Sequence, residues 1–478
     1  MTQDTSLDLR KICFTTIIIY VVLIVSFYFL AGDQLRFRSS RGNVAMLPPD
    51  SGTVELSGGV VVEQTFRPEI QRLESVSVMF SGYYGKEQGK VWIELLSNDN
   101  VLLAEGFNSA DIQDGTILTV NSKEPIETVC GVPVKLRIYA EPAAPVTVMM
   151  NNVDMQQSAD AFLLTINGEQ VNGTICFSAQ GTDYIWTGLH YWKFAVVLGA
   201  LLIALMLLVT IRYKSGKRSF IINVLKAVKK YRFLIRQLVA RDFKKKYRRS
   251  VLGVFWSFLN PLLMMLVQYF VFSTIFRSDI PKFAAYLITG TVMFNFFSES
   301  CGMTLMSILD NSGLITKVYM PKYIYPLTRT ISSLINLLIA LIPMLLVCIL
   351  TGVQLHKSTV LALFFYVCLF VFCLGLGMLL CTSMVFFRDT LFLWNVMSMM
   401  WMYATPLFYP ETIIPERLKI VLVLNPLYHF IKNARMCILD GLSPEPVVYF
   451  MCMGLSLLML IIGAAVFYKN QDKFVLYF

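Results

Sequence analysis

"VARDFKKKYRRSVLGVFWSFLNPLL", residues 239–263, passes from dense positive charge to unbroken apolar sequence within a few residues. Lys244, Lys245, Lys246, Arg248 and Arg249 stand directly before a run of membrane length. A bilayer core is ~30 Å thick and takes about 20 apolar residues as one helix. Lys and Arg beside such a span mark its cytoplasmic side. The same pattern also suits a docking surface for something the chain lacks.

Outward from that stretch, the chain is 56% hydrophobic and 15% charged, with a mean hydropathy of +0.61. Eight runs reach span length, near residues 13–31, 194–211, 252–276, 282–299, 330–352, 358–383, 391–409 and 447–467. The first reads as a retained anchor, because its apolar run is long and no small-residue cleavage site follows in "FLAGDQLRF". Between Asp33 and His190 there are 10 basic and 19 acidic residues, while Asp242 is the only acid between Arg212 and Arg249. The expected topology is therefore multi-pass, with both termini cytoplasmic and residues 32–192 extracytoplasmic. A nucleic-acid binder is excluded, since the charge follows the membrane topology.

Five segments are expected. Residues 1–31 are a cytoplasmic start and first anchor, 32–192 an all-β sandwich of jelly-roll type, and 193–212 a second span. Residues 213–251 hold an amphipathic interface helix, N-capped at Ser219, and 252–478 a six-helix core. In the β region, Val76, Val78 and Phe80 alternate, as do Val134, Leu136 and Ile138, the period of half-buried strands. Hairpin turns are expected at Asn98–Asn100 and at Asn167-Gly168. Along 220–249, Ile221, Leu225, Val228, Ile235 and Leu238 form a stripe with Lys and Arg largely elsewhere, the pattern of a helix lying in the membrane interface. Asn260-Pro261 is expected to break the third span's backbone ladder. A short helix stopped at Pro321 is expected in 310–327, a tight turn at "FFRD" (386–389), and a re-entrant pair of short helices at 405–441.

The absent chemistry is informative. Asp279, Glu299 and Asp310 are expected at or beyond span ends, so coupling acids inside the membrane are missing. No phosphate loop of the G-x-x-x-x-G-K-[ST] type occurs, no cysteine spacing suggests a metal, and no catalytic residue emerges. Cys130 and Cys176 share the outer region, and their pairing stays open. The chain reads as half of a machine, without an ATPase of its own.

"YRRSVLGVFWSFLNPLL", "NSGLITKVYMPKYIYPL", "MVFFRDT", "TPLFYPETIIPERL" and "LNPLYHFIKNARMCILDG" occur in this order. Together they resemble the permease subunit of ATP-binding-cassette exporters for lipid-linked polysaccharides, the family handling O-antigen, teichoic acid and capsule chains. The resemblance covers residues 220–478. It implies a partner nucleotide-binding ATPase subunit in two copies, holding the ATP and Mg. It also implies a second copy of this permease, an undecaprenyl-linked glycan substrate and contact with membrane lipids. By position, Arg241, Lys244, Lys245, Lys246, Arg248 and Arg249 would dock the ATPase, with Leu314, Ile315, Lys317, Val318 and Tyr319. Trp394, Trp401, Tyr403, Phe408 and Tyr409 are channel-lining candidates, since aromatic faces stack on sugar rings. Arg388 and Asp389 would form a gating turn.

The front end departs from the family, whose typical members begin near the interface helix. Here two extra spans carry a β-domain, which is a glycan binder or a guard of the exit. Trp92 and Glu94 share the face opposite Val91 and Ile93, which makes them glycan-contact candidates. Plainer readings stand beside each assignment: positive-inside anchoring for the basic run, belt packing for the aromatics, an ion pair at Arg388-Asp389, a sandwich edge for Trp92. Alternatives of other classes are a membrane glycosyltransferase, a cell-envelope polymer-assembly protein and a sensor.

Overall fold

The computed structural model describes the chain apart from residues 1–8, 43, 45, 51, 57–58, 83–88, 99, 128, 142–145, 152–161, 216–219, 248–250, 276–279, 318–319 and 478. The expected Ser219 cap and Asp279 lie outside the described residues. Two compact units result, Arg36–Leu189 and the remainder, Met1–Leu35 with His190–Phe478. The β unit is narrower than the expected 32–192. Leu35 is fully buried in the core cluster of the helical unit.

The β unit is a two-sheet antiparallel sandwich. Its strands are β1 (Phe37–Ser40), β2 (Gly52–Glu55), β3 (Val61–Phe66), β4 (Arg72–Gly82), β5 (Lys90–Ser97), β6 (Asn100–Asn108) and β7 (Thr116–Ile126). They continue with β8 (Val134–Ala140), β9 (Val146–Asn151), β10 (Phe162–Ile166), β11 (Glu169–Val171), β12 (Thr174–Ile175) and β13 (Phe177–Tyr184). One sheet runs β1-β13-β4-β9-β12, with β2 on β9 and β7 on β4; the other runs β11-β10-β3-β8-β5-β6. The alternation predicts the core: Val76, Val78 and Phe80 of β4, and Val134, Leu136 and Ile138 of β8, are all buried. Phe66 and Phe177 meet between the sheets with ring centroids 4.9 Å apart. Asn167 and Gly168 turn between β10 and β11 with φ of 53° and 84°, the left-handed pair of a type I′ hairpin. Asn98, φ 47°, begins the other turn, and Asp99 lies outside the described residues. Cys130 is exposed, Cys176 is buried, and both are free; burial pushes the Cys176 thiol up to about 11. A single turn, α2 (Trp186–Leu189), ends the unit.

The other unit is helical: α1 (Leu9–Ala31), α3 (Tyr191–Lys214), α4 (Phe220–Tyr247), α5 (Phe255–Tyr269), α6 (Phe283–Leu305), α7 (Ser312–Ile315) and α8 (Ile324–Leu350). Then come α9 (Ala362–Phe386), α10 (Thr390–Ala404), α11 (Lys419–Leu424), α12 (Pro426–Arg435) and α13 (Pro446–Asn470). Among the described residues six helical stretches are long and apolar enough to cross a membrane, and α6 with its 51° bend into the next turns makes a seventh. The remaining expected span, 391–409, contains only the 15-residue α10. That is about 22 Å of helix, short of a bilayer core.

One expectation is refined here and one corrected. Pro261 sits buried inside α5, where its missing N–H opens one rung of the backbone ladder without ending the helix, and a further irregular turn follows as the π-helix Phe270–Ile275. Glu299 is within α6, not at its end. It accepts hydrogen bonds from Lys246 of α4 at 2.7 Å and from Asn336 of α8 at 2.6 Å, which makes a carboxylate tolerable there.

The anchors α1 and α3 pack on each other: Tyr20 donates to the Ala195 carbonyl and Tyr191 to that of Ile24. Gln34 then holds the corner before α13, donating to Gly441 O at 3.3 Å and accepting from Ser443 N at 2.6 Å.

Candidate functional site

The site begins with α4. Its 28 residues measure about 42 Å of helix, and its apolar stripe has a definite receiver. Tyr231, Leu234, Ile235 and Leu238 pack in a cluster with Leu314 and Ile315 of α7, Tyr325 of α8, and Phe467 and Phe474 of the chain's end. A helix that were only a charged topology signal would not require such a seat.

Beneath the stripe lies a neutral set of four charges. Asp242 is almost sealed, its side chain 1% exposed, and lies 3.5 Å from Arg329 Nη1 and 3.0 Å from Arg241 Nη2. Arg329, in the second turn of α8, also holds Asp310 at 2.8 Å. Arg241 donates to Asn311 Oδ1 at 3.0 Å, and Asn311 in turn donates to Ser307 O at 2.7 Å. One helix is thereby joined to the α6–α7 corner and to α8 through charged side chains, sealed at Asp242 and Arg329 and open to water at Arg241 and Asp310. Asp242 Oδ2 and Arg329 Nε are buried with no hydrogen-bond partner; at 3.5 Å the pair attracts without closing a hydrogen bond.

The basic run divides by helical geometry. Lys244 and Lys245 are exposed and, with Arg241 and Phe243, line an open cleft of about 980 Å³. Lys246 turns the other way, onto Glu299. Arg248, Arg249, Val318 and Tyr319 lie outside the described residues. Lys317 is exposed, while Leu314 and Ile315 are half-buried against the cluster. Arg388 reaches Tyr477 O at 3.4 Å. Asp389 stands at the N-cap of α10 without a side-chain cap bond. The two side chains form no ion pair, so the plain reading of a turn-capping pair fails.

The five channel candidates are not one surface. Trp394 is buried, 5.7 Å from Phe297, and Phe408 is buried against Phe272 at 5.3 Å. Trp401 donates to Asn425 Oδ1 at 2.7 Å, and Tyr409 donates to Tyr403 O at 2.6 Å. Tyr403 is exposed, on the same side as Met399 and Met400.

Sequence reasoning passed over Arg329, Arg435 and Asn425. Asn425 caps α12 by accepting from Leu427 N at 3.0 Å, next to Pro426 at the first helical position. Its amide donates to Thr405 at 2.8 Å, tying the end of α10 to α12. Arg435 is buried, with its guanidinium 3.6 Å from the Tyr286 ring and donating to the carbonyls of Pro406 at 2.7 Å and Leu407 at 3.0 Å. Gly290 leaves it room: a Cβ there would stand 2.1 Å from Arg435 Nη2. An arginine within a membrane-length apolar run was the available signal for Arg329, whereas Arg435 follows His429, Lys432 and Asn433 and carried no such signal.

In the β unit, Trp92 and Glu94 do share an outer face. The Trp92 ring lies across Gly106 of β6, where a Cβ would come within 3.1 Å of it, and packing over an edge-strand glycine accounts for its position. Around it, Tyr139 donates to Glu94 at 2.9 Å, and Arg137 bridges Glu63 at 2.8 Å and Glu94 at 3.9 Å. Burial alone would raise the Glu63 carboxyl, but Arg137 and Lys135 outweigh it and hold it below the usual range. A planar aromatic face next to fixed donors and acceptors can receive a sugar ring.

Comparison with known proteins covers the helical unit. Residues 234–439 match the family described as ABC-2 type transporter. The chain is 28% identical over 255 residues to the O-antigen export system permease protein of Myxococcus xanthus, covering 53% of this chain and 98% of that protein. It is 27% identical over 238 residues to the O-antigen export system permease protein of Klebsiella pneumoniae, covering 49% and 90%. A capsule polysaccharide export inner-membrane protein of Neisseria meningitidis is 23% identical over 201 residues, 41% and 76% of the two chains.

Proposed function

We propose, from the premise that residues 234–439 are an ABC-2 type transporter permease domain, that this chain is the membrane half of a polysaccharide exporter. A separate ATPase subunit, in two copies, binds ATP and Mg and docks on α4 and α7. Two copies of the permease together pass a lipid-linked glycan from the cytoplasmic to the outer face of a bacterial cytoplasmic membrane. The glycan is an O-antigen-like, capsular or teichoic-acid-like chain. Both termini are cytoplasmic, which requires α10 together with the residues after it to complete an eighth crossing, and the β unit is extracytoplasmic. The observation that carries this reading is the seating of α4: a long basic helix, exposed along one side, is bonded through Asp242 and Arg329 to the bundle. Movement forced on α4 by a partner would have to move α8.

Lys244 and Lys245 face the open cleft and Lys246 does not, so the docking test uses the first two. Reversing both to Glu is expected to lower the amount of co-purifying P-loop ATPase at least 10-fold while the permease still reaches the membrane. Loss of several kcal/mol is usual when like charges are set against each other across an interface. Recovery of the ATPase with the reversed chain would reduce the run to topology and lipid contact. Absence of any ATPase from the wild-type preparation would overturn the exporter.

The outer face around Trp92 is proposed as a glycan contact of the β unit. Trp92→Ala in the purified full-length chain is expected to weaken binding of oligosaccharides from the strain's own surface polysaccharide about 2- to 10-fold, as loss of one aromatic stack predicts. Unchanged affinity by calorimetry would leave Trp92 as packing over Gly106.

A further inference from the structure

A cavity of about 500 Å³ opens between α12, the start of α6 and the segment after α10, within the ~300–1,000 Å³ of small-ligand sites. Tyr286 and Tyr428 line it, the Tyr286 ring carrying the Arg435 guanidinium at 3.6 Å and the Tyr428 ring facing Lys432 at 5.2 Å. Arg435 lies at its base, more than nine-tenths buried, and its Nε has no hydrogen-bond partner. Glu411 Oε2 accepts from both Lys432 at 2.7 Å and Tyr428 at 2.8 Å, which leaves Oε1 open. The side chains of Lys282 and Asp440 stand exposed at the rim, and among the described residues neither forms a hydrogen bond or ion pair.

Three cations and two carboxylates nearly cancel. A diphosphate would need a strong positive excess, and an apolar ligand would strand the charges without partners. A ligand with an apolar ring face and many hydroxyls satisfies both the tyrosines and the interleaved donors and acceptors. We propose that this cavity binds a sugar unit of the glycan chain. The proposal rests on the exporter reading and adds a permease-borne sugar site, separate from the β-unit face.

The test uses the full-length chain carrying Trp92→Ala, so that the contribution of the β-unit face is reduced and is the same in every variant compared. The probe is a set of short neutral oligosaccharides released by mild acid from the source strain's surface polysaccharide, and affinity is read by calorimetry. Asp440→Asn and Glu411→Gln are each expected to weaken binding about 10-fold, the loss of one hydrogen bond to a charged group. Lys282→Met serves beside Asp440→Asn if the Glu411 variant melts below the parent. Unchanged affinity in the well-folded variants, or no binding by the Trp92→Ala parent, overturns the site. Displacement of the oligosaccharide by millimolar inorganic pyrophosphate overturns the sugar assignment in favour of phosphate. A strain lacking the chain that keeps its surface glycan overturns the exporter reading instead. Lost glycan with unaltered Asp440→Asn affinity overturns the cavity alone.

Discussion

Arg329→Met is expected to cut surface polysaccharide at least 10-fold while the ATPase subunit still co-purifies. The substitution keeps the apolar volume of the side chain but leaves Asp242, 1% exposed, facing a thioether. Breaking a buried ion pair by removing one partner costs ~3–5 kcal/mol. The lower end applies here, because Arg241 stays 3.0 Å from Asp242. Asp310 loses the 2.8 Å bond that ties the α6–α7 corner to α8. The docking surface at Lys244 and Lys245 is untouched, so partner binding and glycan export should separate in this variant: ATP hydrolysis continues without transport. Arg329→Lys, which keeps a positive charge facing both Asp242 and Asp310, should recover part of the export. Wild-type export by Arg329→Met would sink the idea that α4 acts on α8 through this pair.

The contrast between Lys246 and its neighbours shows what sequence could and could not supply. Five basic residues within six positions read as one surface, yet a helix turns 100° per residue. Lys244 and Lys245 therefore face the cleft while Lys246 reaches Glu299. The run was legible, and its division was not, because nothing near residue 246 in sequence reveals a carboxylate on α6. Trp394 and Trp401 pose the same problem. Seven residues apart, they share a helical face, and both meet Phe297; only neighbouring helices decide which face turns inward. Strands and spans were readable because their signal is local: the periods in β4 and β8 name the buried residues directly. Asp242 was visible as the lone acid in a basic stretch, but its meaning needed Arg329, far along the chain and inside an apolar helix.

Gly463→Ala is expected to be among the most damaging single-methyl changes in the chain, and Gly454→Ala on the same helix almost silent. A Cβ at 463 would stand 1.9 Å from the Gly375 carbonyl oxygen, and one at 375 would stand 2.5 Å from the backbone of Met459 and Leu460. Both obstacles are main chain, so no rotamer change relieves them, and α9 and α13 must separate along their length. At Gly454 nothing lies within 4 Å. Overpacking usually costs ~1–3 kcal/mol, and the rigid backbone on both sides puts this case at or above the top of that range. Membrane helices have no hydrophobic drive toward each other and depend on close approach at small residues, so the lost contact is not regained elsewhere. In detergent, Gly463→Ala and Gly375→Ala should each lower the melting temperature well below that of Gly454→Ala; coincident melting curves would mean the two backbones do not touch. The consequence reaches the α4 end as well. Phe467 of α13 and Phe474 just beyond it belong to the cluster that seats Leu238 of α4. A displaced α13 therefore loosens the base against which α4 would push, and export should fall further in Gly463→Ala than its loss of folded protein accounts for.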